Sequence, residues 1–140
     1  MSRGVAEAVE RLQTIVAAVT GIRSAVDPPE QLPPLPCAIV GMGAGFWHCE
    51  AKMKQWRGDL IIDLFVKREG PGLARAYNEL MTYTVGIANQ IENDPLLNST
   101  VDNIMFPIRQ SAPAGTEWGG REALMVEMTV PVKITTAIEV

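Results

Sequence analysis

Apolar and polar residues follow two rhythms along this chain, and the switches between them outline its elements. From residue 3 to 20, Val5, Val9, Leu12, Val16 and Val19 recur at the spacing that stacks side chains on one helix face. Glu7, Glu10, Arg11 and Gln13 fall largely elsewhere on the wheel, and Gly21 is placed to stop the helix. Residues 21–36 hold five prolines, which predict a stiff extended connector lying across one domain. The short apolar run Cys37 to Met42, between Pro36 and Gly43, predicts a buried strand.

Gly43, Ala44 and Gly45 then suggest a turn. His48, Glu50, Lys52 and Lys54 alternate with Cys49, Ala51 and Met53, a period-two pattern with one polar and one weak apolar face. It predicts a projecting hairpin arm over 43–59, mobile in a free subunit because that apolar face is weak. Residues 60–68 read as a strand, with Leu60, Ile62, Leu64 and Val66 on one face and Asp63 on the other. After Gly70-Pro71-Gly72, a helix is predicted over 72–92, its stripe made of Leu73, Tyr77, Leu80, Ile87 and Ile91 with Thr84 interrupting.

Residues 101–110 predict a strand with Ile104, Phe106 and Ile108 on one face, at a sheet edge because Pro107 cannot donate to a ladder. A Gly/Pro-rich loop is expected over 111–121. The last strand is the clearest pattern: Leu124, Val126, Met128, Val130, Val132 and Ile134 alternate with mostly polar residues. The order α-β-(β)-β-α-β-β predicts a single α+β domain over 1–140. Its sheet is antiparallel or mixed, of four to five strands, with both helices packed on one face.

Composition narrows the function. The chain has 140 residues, 47% of them apolar, which is enough to build a core. A net charge of −4 gives no general attraction to nucleic acid or anionic lipid. No window approaches the ~18 uncharged apolar residues of a membrane span, so no membrane partner is expected. Glu7 and Glu10 do not suit a secretory leader, so synthesis inside the cell is expected. Cys37 and Cys49 read as reduced thiols.

Candidate chemistry is sparse. His48-Cys49-Glu50 on a strand puts Cys49 opposite the other two, so the three do not converge on a metal or form a Cys–His nucleophile pair. The run GMGAG at 41–45 has neither the spacing of a dinucleotide loop nor the Gly-Lys-Ser/Thr of a phosphate loop. The carboxylates form no pair with motif-like spacing. No catalytic, metal-binding or cofactor-binding residue is expected, and no cofactor. Aromatics beside arginines are the residual signal: Phe46, Trp47, Trp56, Arg57, Trp118 and Arg121 are the candidate interface positions. The tryptophans are either partner anchors or caps on the ends of the sheet's core.

The stretches LPCAIVGMGAGFW (35–47), RGDLIIDLFVKREG (57–70) and EWGGREALMVEMTVPVKI (117–134), with a long helix between the last two, resemble the tail terminator and tail-completion proteins of long-tailed bacteriophages. The resemblance covers about residues 20–135. It implies a homo-hexameric ring in the virion at the head–tail junction, made in the host cytoplasm. Such a ring caps the tail tube, ends tail polymerisation and joins the tail to the head connector. Its expected partners are further copies of itself, the tail tube protein and the connector proteins, and DNA passes through it without specific binding. A head-closure or neck protein is the alternative of the same class. A small ligand-binding or hydrolytic α+β protein is the alternative of another class, and it requires a pocket with convergent polar groups.

Overall fold

The computed structural model describes residues 4–29, 31, 33–68, 72–118 and 121–137. Among these residues two helices and seven strands follow in the order α1 (Val5–Ala17), β1 (Ser24–Val26), β2 (Cys37–Glu50), β3 (Met53–Lys67), α2 (Leu73–Glu92), β4 (Asn103–Ile104), β5 (Arg109–Gln110), β6 (Ala114–Trp118) and β7 (Arg121–Ala137). They form an α+β fold on one mixed sheet, ordered β1-β2-β3-β7-β4, with β5 and β6 also on the outer edge of β7. Among the described residues only the β1–β2 pair is parallel.

The long strands form for the reason their alternation predicts. Leu60, Ile62, Leu64 and Val66 of β3 and the six even-numbered residues from Leu124 to Ile134 of β7 are all buried on one face. Both helices cover that face. Ala8, Val9, Leu12, Ile15 and Val16 of α1 and Ala76, Leu80, Thr84, Ile87 and Ile91 of α2 turn inward, and their apolar members share one cluster with the strand residues. Arg11 Nε donates to Asp94 Oδ2 at 2.8 Å, tying α1 to the end of α2. On the helix-free face, expected to be mostly polar, a second, small cluster of Cys37, Ile39, Phe65 and Ala123 covers one end, in keeping with the buried strand predicted over Cys37 to Met42.

Several local expectations are corrected. Helix α1 ends at Ala17, before Gly21, which sits at φ 98°. The proline-rich connector contributes β1, which adds to the edge of β2. The turn expected at Gly43–Gly45 is instead a register shift within a continuous strand. The hairpin reverses at Ala51 and Lys52, both at positive φ (42° and 72°), the conformation a two-residue hairpin turn needs. Neither residue type advertises it, which is why the alternation hid the turn. The expected 101–110 strand is interrupted around Phe106-Pro107: Ile104 is buried, but Phe106 is exposed. Its two halves lie on the outer edge of β7, as Pro107 suggested. The expected loop 111–121 holds β6, which forms a second hairpin with β7.

The stripe of α2 is rotated from the predicted one. Leu73 and Tyr77 lie largely outside the core and Ala76 takes their place, while Leu80, Ile87 and Ile91 are buried as predicted and Thr84 is buried among them where it was expected to interrupt the stripe. Thr84 satisfies its hydroxyl by donating to Met81 O at 3.1 Å, which lets a polar residue sit in an apolar row.

Candidate functional site

Register places the six candidate interface residues as three cross-strand pairs. Phe46 faces Arg57, Trp47 faces Trp56, and Trp118 faces Arg121. The first two pairs lie near the β2–β3 hairpin tip, and the third lies at the β6–β7 hairpin. Met53 pairs with Ala137 and Lys67 with Ala123, so these hairpins sit at opposite ends of the sheet. The structure does not bring the six into one patch. The side chains of Trp118 and Arg121 lie outside the described residues.

The arm is real, but it is three-stranded. β7 runs beside β3 as far as Met53, so the β2–β3 ribbon is backed along its length. Its apolar support is not Cys49, Ala51 and Met53, on which the expected mobility rested. It is the tryptophan pair. Trp56 is 2% exposed and belongs to the main core, so it is a cap on the sheet's core rather than an anchor. Its indole lies over the facing glycines Gly45 and Gly58, where a Cβ would come within 2.7 and 2.4 Å of the ring. Trp47 packs behind it, with centroids 6.4 Å apart and planes tilted by 49°. Lys54 Nζ stands 5.5 Å from the Trp47 centroid as a cation–π partner. A ladder of glycine pair, Trp56, Trp47 and Lys54 thus ties the tip to the core.

The helix-free face is braced by hydrogen bonds. Arg57 Nε donates to Gln55 Oε1 at 2.8 Å, and Gln55 Nε2 donates to Thr135 Oγ1 at 3.1 Å. The Thr135 hydroxyl donates in turn to Asp102 Oδ2, and the Thr135 amide donates to Asp102 Oδ1 at 3.2 Å. This chain crosses from β3 over β7 to the segment before β4. Phe46 stands free beside it at 61% exposure, while Trp47 on the other face is 51% exposed. A shallow groove of about 550 Å³ runs between Phe46, Arg57, Asp59 and Met105.

The remaining polar chemistry does not converge. His48 and Glu50 share one side at 3.4 Å and are both well exposed, while Cys49 alternates to the other face, as strand geometry requires. Cys37 is buried at the other end of β2. No group of three or more His, Cys, Asp and Glu side chains that could hold a metal occurs among the described residues. No helix among them is long and apolar enough to cross a membrane.

One carboxylate pair escaped the sequence reading, because its members are far apart in the chain and only register joins them. Asp63 lies directly across from Glu127 on the helix-free face. Burial, then the like charge of Glu127 and a hydrogen bond with it, push the Asp63 carboxyl from 3.8 up to about 6. Its Oδ1 is buried without a partner. A carboxyl whose folded pKa lies above its unfolded one prefers the fold when protonated. The contribution of this group to stability is therefore fully present below about pH 4 and is lost as pH rises through about 6. The side chain is only half-buried, and solvent screening holds the effect to about 1 kcal/mol. Asp63→Asn is expected to raise the urea midpoint at pH 7.5 and to flatten its change between pH 4 and 6. An unchanged pH profile in the variant would exclude this pair as the cause.

No family model matches the chain, and no curated protein matches it. Among solved structures, a chain of "Virion of native gene transfer agent (GTA) particle" is similar, with a TM-score of 0.43 and 12% sequence identity over 94% of this chain and 93% of that chain.

Proposed function

We propose that this protein is a structural subunit of a homo-oligomeric ring that caps the tail tube of a phage-like particle, ends tail polymerisation and joins the tail to the head. The observation that carries the reading is the arm. The core under the two helices is closed by its own residues, yet a braced three-stranded ribbon extends from it and holds Phe46 and Trp47 in solvent on opposite faces. Large aromatics held rigidly and left exposed lose little entropy on binding, which suits a protein interface better than a substrate pocket. The role at the head–tail junction comes from the resemblance of residues 35–47, 57–70 and 117–134 to tail terminators. Acidic balance is consistent with letting DNA pass without adhering.

Two measurements test the reading. Light scattering on the purified protein at high concentration, alone and with tail tubes, is expected to show a closed oligomer. Particles lacking the gene are expected to carry tails of abnormal and variable length. Tails of normal length that fail to join heads would move the assignment to a neck role, and a strict monomer under every condition would remove assembly altogether.

A further inference from the structure

One edge of the arm is open. β1 pairs with β2 only as far as Ile39. Pro28, which has no N–H to extend that pairing, then lies beside Gly41. Backbone groups of successive β2 residues point alternately to β3 and to the outer edge. The Pro36 carbonyl points outward, accepting from Arg23 N at 2.9 Å, and so does that of Val40, accepting from Gln13 Nε2 at 3.2 Å. Asp27 Oδ1 holds the same Gln13 amide at 2.8 Å. The register shift between Met42 and Gly45 then changes the phase. Glu50 and Met53 flank the two-residue turn and so bond to each other. Phe46, His48 and Glu50 therefore bond toward β3, and Gly45, Trp47 and Cys49 turn their N–H and C=O groups outward. No strand covers these groups among the described residues, and residues 44–50 are all exposed.

Open edges are normally blunted by proline, by charge or by a bulge. Residues 40–49 hold no Pro, Lys, Arg, Asp or Glu, and the register shift is the one such device present. From this edge we infer that the free protein pairs with a second copy, β2 to β2, in an antiparallel two-fold contact. The aromatics select a strand as the occupant. Trp47 shares a face with Trp56 and Phe46 lies on the other, so a helix or a flat surface reaches one of them, whereas a strand added at the edge has neighbours on both faces. This chain itself supplies the matching strand. Among the described residues β3 and β7 are paired on both sides, β1, β4 and β5 have three, two and two residues, and β6 has five and carries Glu117. Only β2 offers a long, uncharged, open edge. Paired with itself about a two-fold axis, an edge sets each outward N–H against an outward C=O. Such a contact closes on itself at two copies, so it goes beyond the ring reading and describes the protein away from tail tubes.

Amide hydrogen exchange with light scattering tests the pairing. In the dimer the Trp47 and Cys49 amides are expected to be protected, and to lose protection on dilution, while the Phe46 and His48 amides stay protected by β3 throughout. Cys49→Pro removes an outward N–H and no β2–β3 bond. It is expected to weaken pairing about tenfold or more with Tm within a few degrees. A second readout does not depend on a proline: on a Cys49→Ser background, Phe46→Cys alone, or mixed with His48→Cys according to register, is expected to give about ten times more oxidised dimer than Thr82→Cys on α2, another exposed position. A dimer whose Trp47 and Cys49 amides exchange freely and whose Phe46→Cys and His48→Cys proteins link no better than Thr82→Cys overturns the edge contact. Protection that persists in a monomer overturns it too, since the chain then covers its own edge. A monomer that becomes a ring only on tail tubes overturns this pairing and leaves the ring reading standing. A β2-linked dimer that tail tubes leave unchanged does the reverse.

Discussion

Trp56→Ala is expected to cost about 3–5 kcal/mol of folding stability, the range for deleting a buried large aromatic. The indole is 2% exposed and fills the space between the glycine pair, Trp47 and the core around Ile134. Removing it uncovers Gly45 and Gly58, neither of which has a side chain to fill the gap. For a domain of this size the loss corresponds to a fall in Tm of roughly 10–15 °C. Trp47→Ala provides the contrast. It forfeits one tilted ring contact, about 0.5–1.5 kcal/mol, because half of that side chain already faces water. Gly58→Ala approaches the same site from below: its Cβ meets the ring at 2.4 Å and the Ala44 carbonyl at 2.8 Å, an overpacking that costs about 1–3 kcal/mol. Thermal unfolding of the three variants tests the ranking. A Trp56→Ala protein as stable as Trp47→Ala would mean that the indole is not part of the core.

The tryptophans also show where a sequence can and cannot be read. Alternation in β7 and in the second half of β3 was legible because one face of each strand is wholly apolar and the period-two signal is unbroken. The arm was legible as an arm for the same reason inverted, since its polar alternation announces solvent. Its turn was not, because Ala51 and Lys52 adopt left-handed conformations that favour glycine or asparagine. Trp56 and Trp47 have the same residue type and face each other across the ladder, yet one is core and one is surface. What separates them is strand position: β3 is flanked by β2 and β7, while beyond Ile39 the outer edge of β2 has no strand partner among the described residues. The glycine run was misassigned for a related reason. Gly45 is needed for the ring that lies over it, a contact that appears only once β2 and β3 are in register. Asp63 and Glu127 likewise meet only through register. Local periodicity is written in the chain, whereas pairing across strands emerges from the fold.

The second large effect expected is on association. Phe46→Ser is predicted to weaken self-assembly by about 2 kcal/mol or more, at least thirtyfold, if this exposed aromatic acts as an anchor of the interface. Combined with Trp47→Ser, it is expected to leave a monomer at concentrations where the parent protein is fully assembled. The fold is expected to survive, because Phe46 stands 61% exposed and outside both apolar clusters. The Arg57–Gln55–Thr135–Asp102 chain and the Trp56 platform hold the arm without it. Light scattering and thermal unfolding on the same samples separate the two quantities: assembly falls while Tm stays within a few degrees for Phe46→Ser. Assembly of the double variant with parental affinity would exclude the arm's aromatics as the contact, and a ring would then have to close through surfaces elsewhere on the sheet. Loss of stability and assembly together in Phe46→Ser would instead make this residue part of the fold, against its exposure. Phe46 is therefore the sharper probe, because Trp47 packs on the buried Trp56 whereas Phe46 stands outside both apolar clusters, and an assembly defect it causes at unchanged Tm arises between molecules.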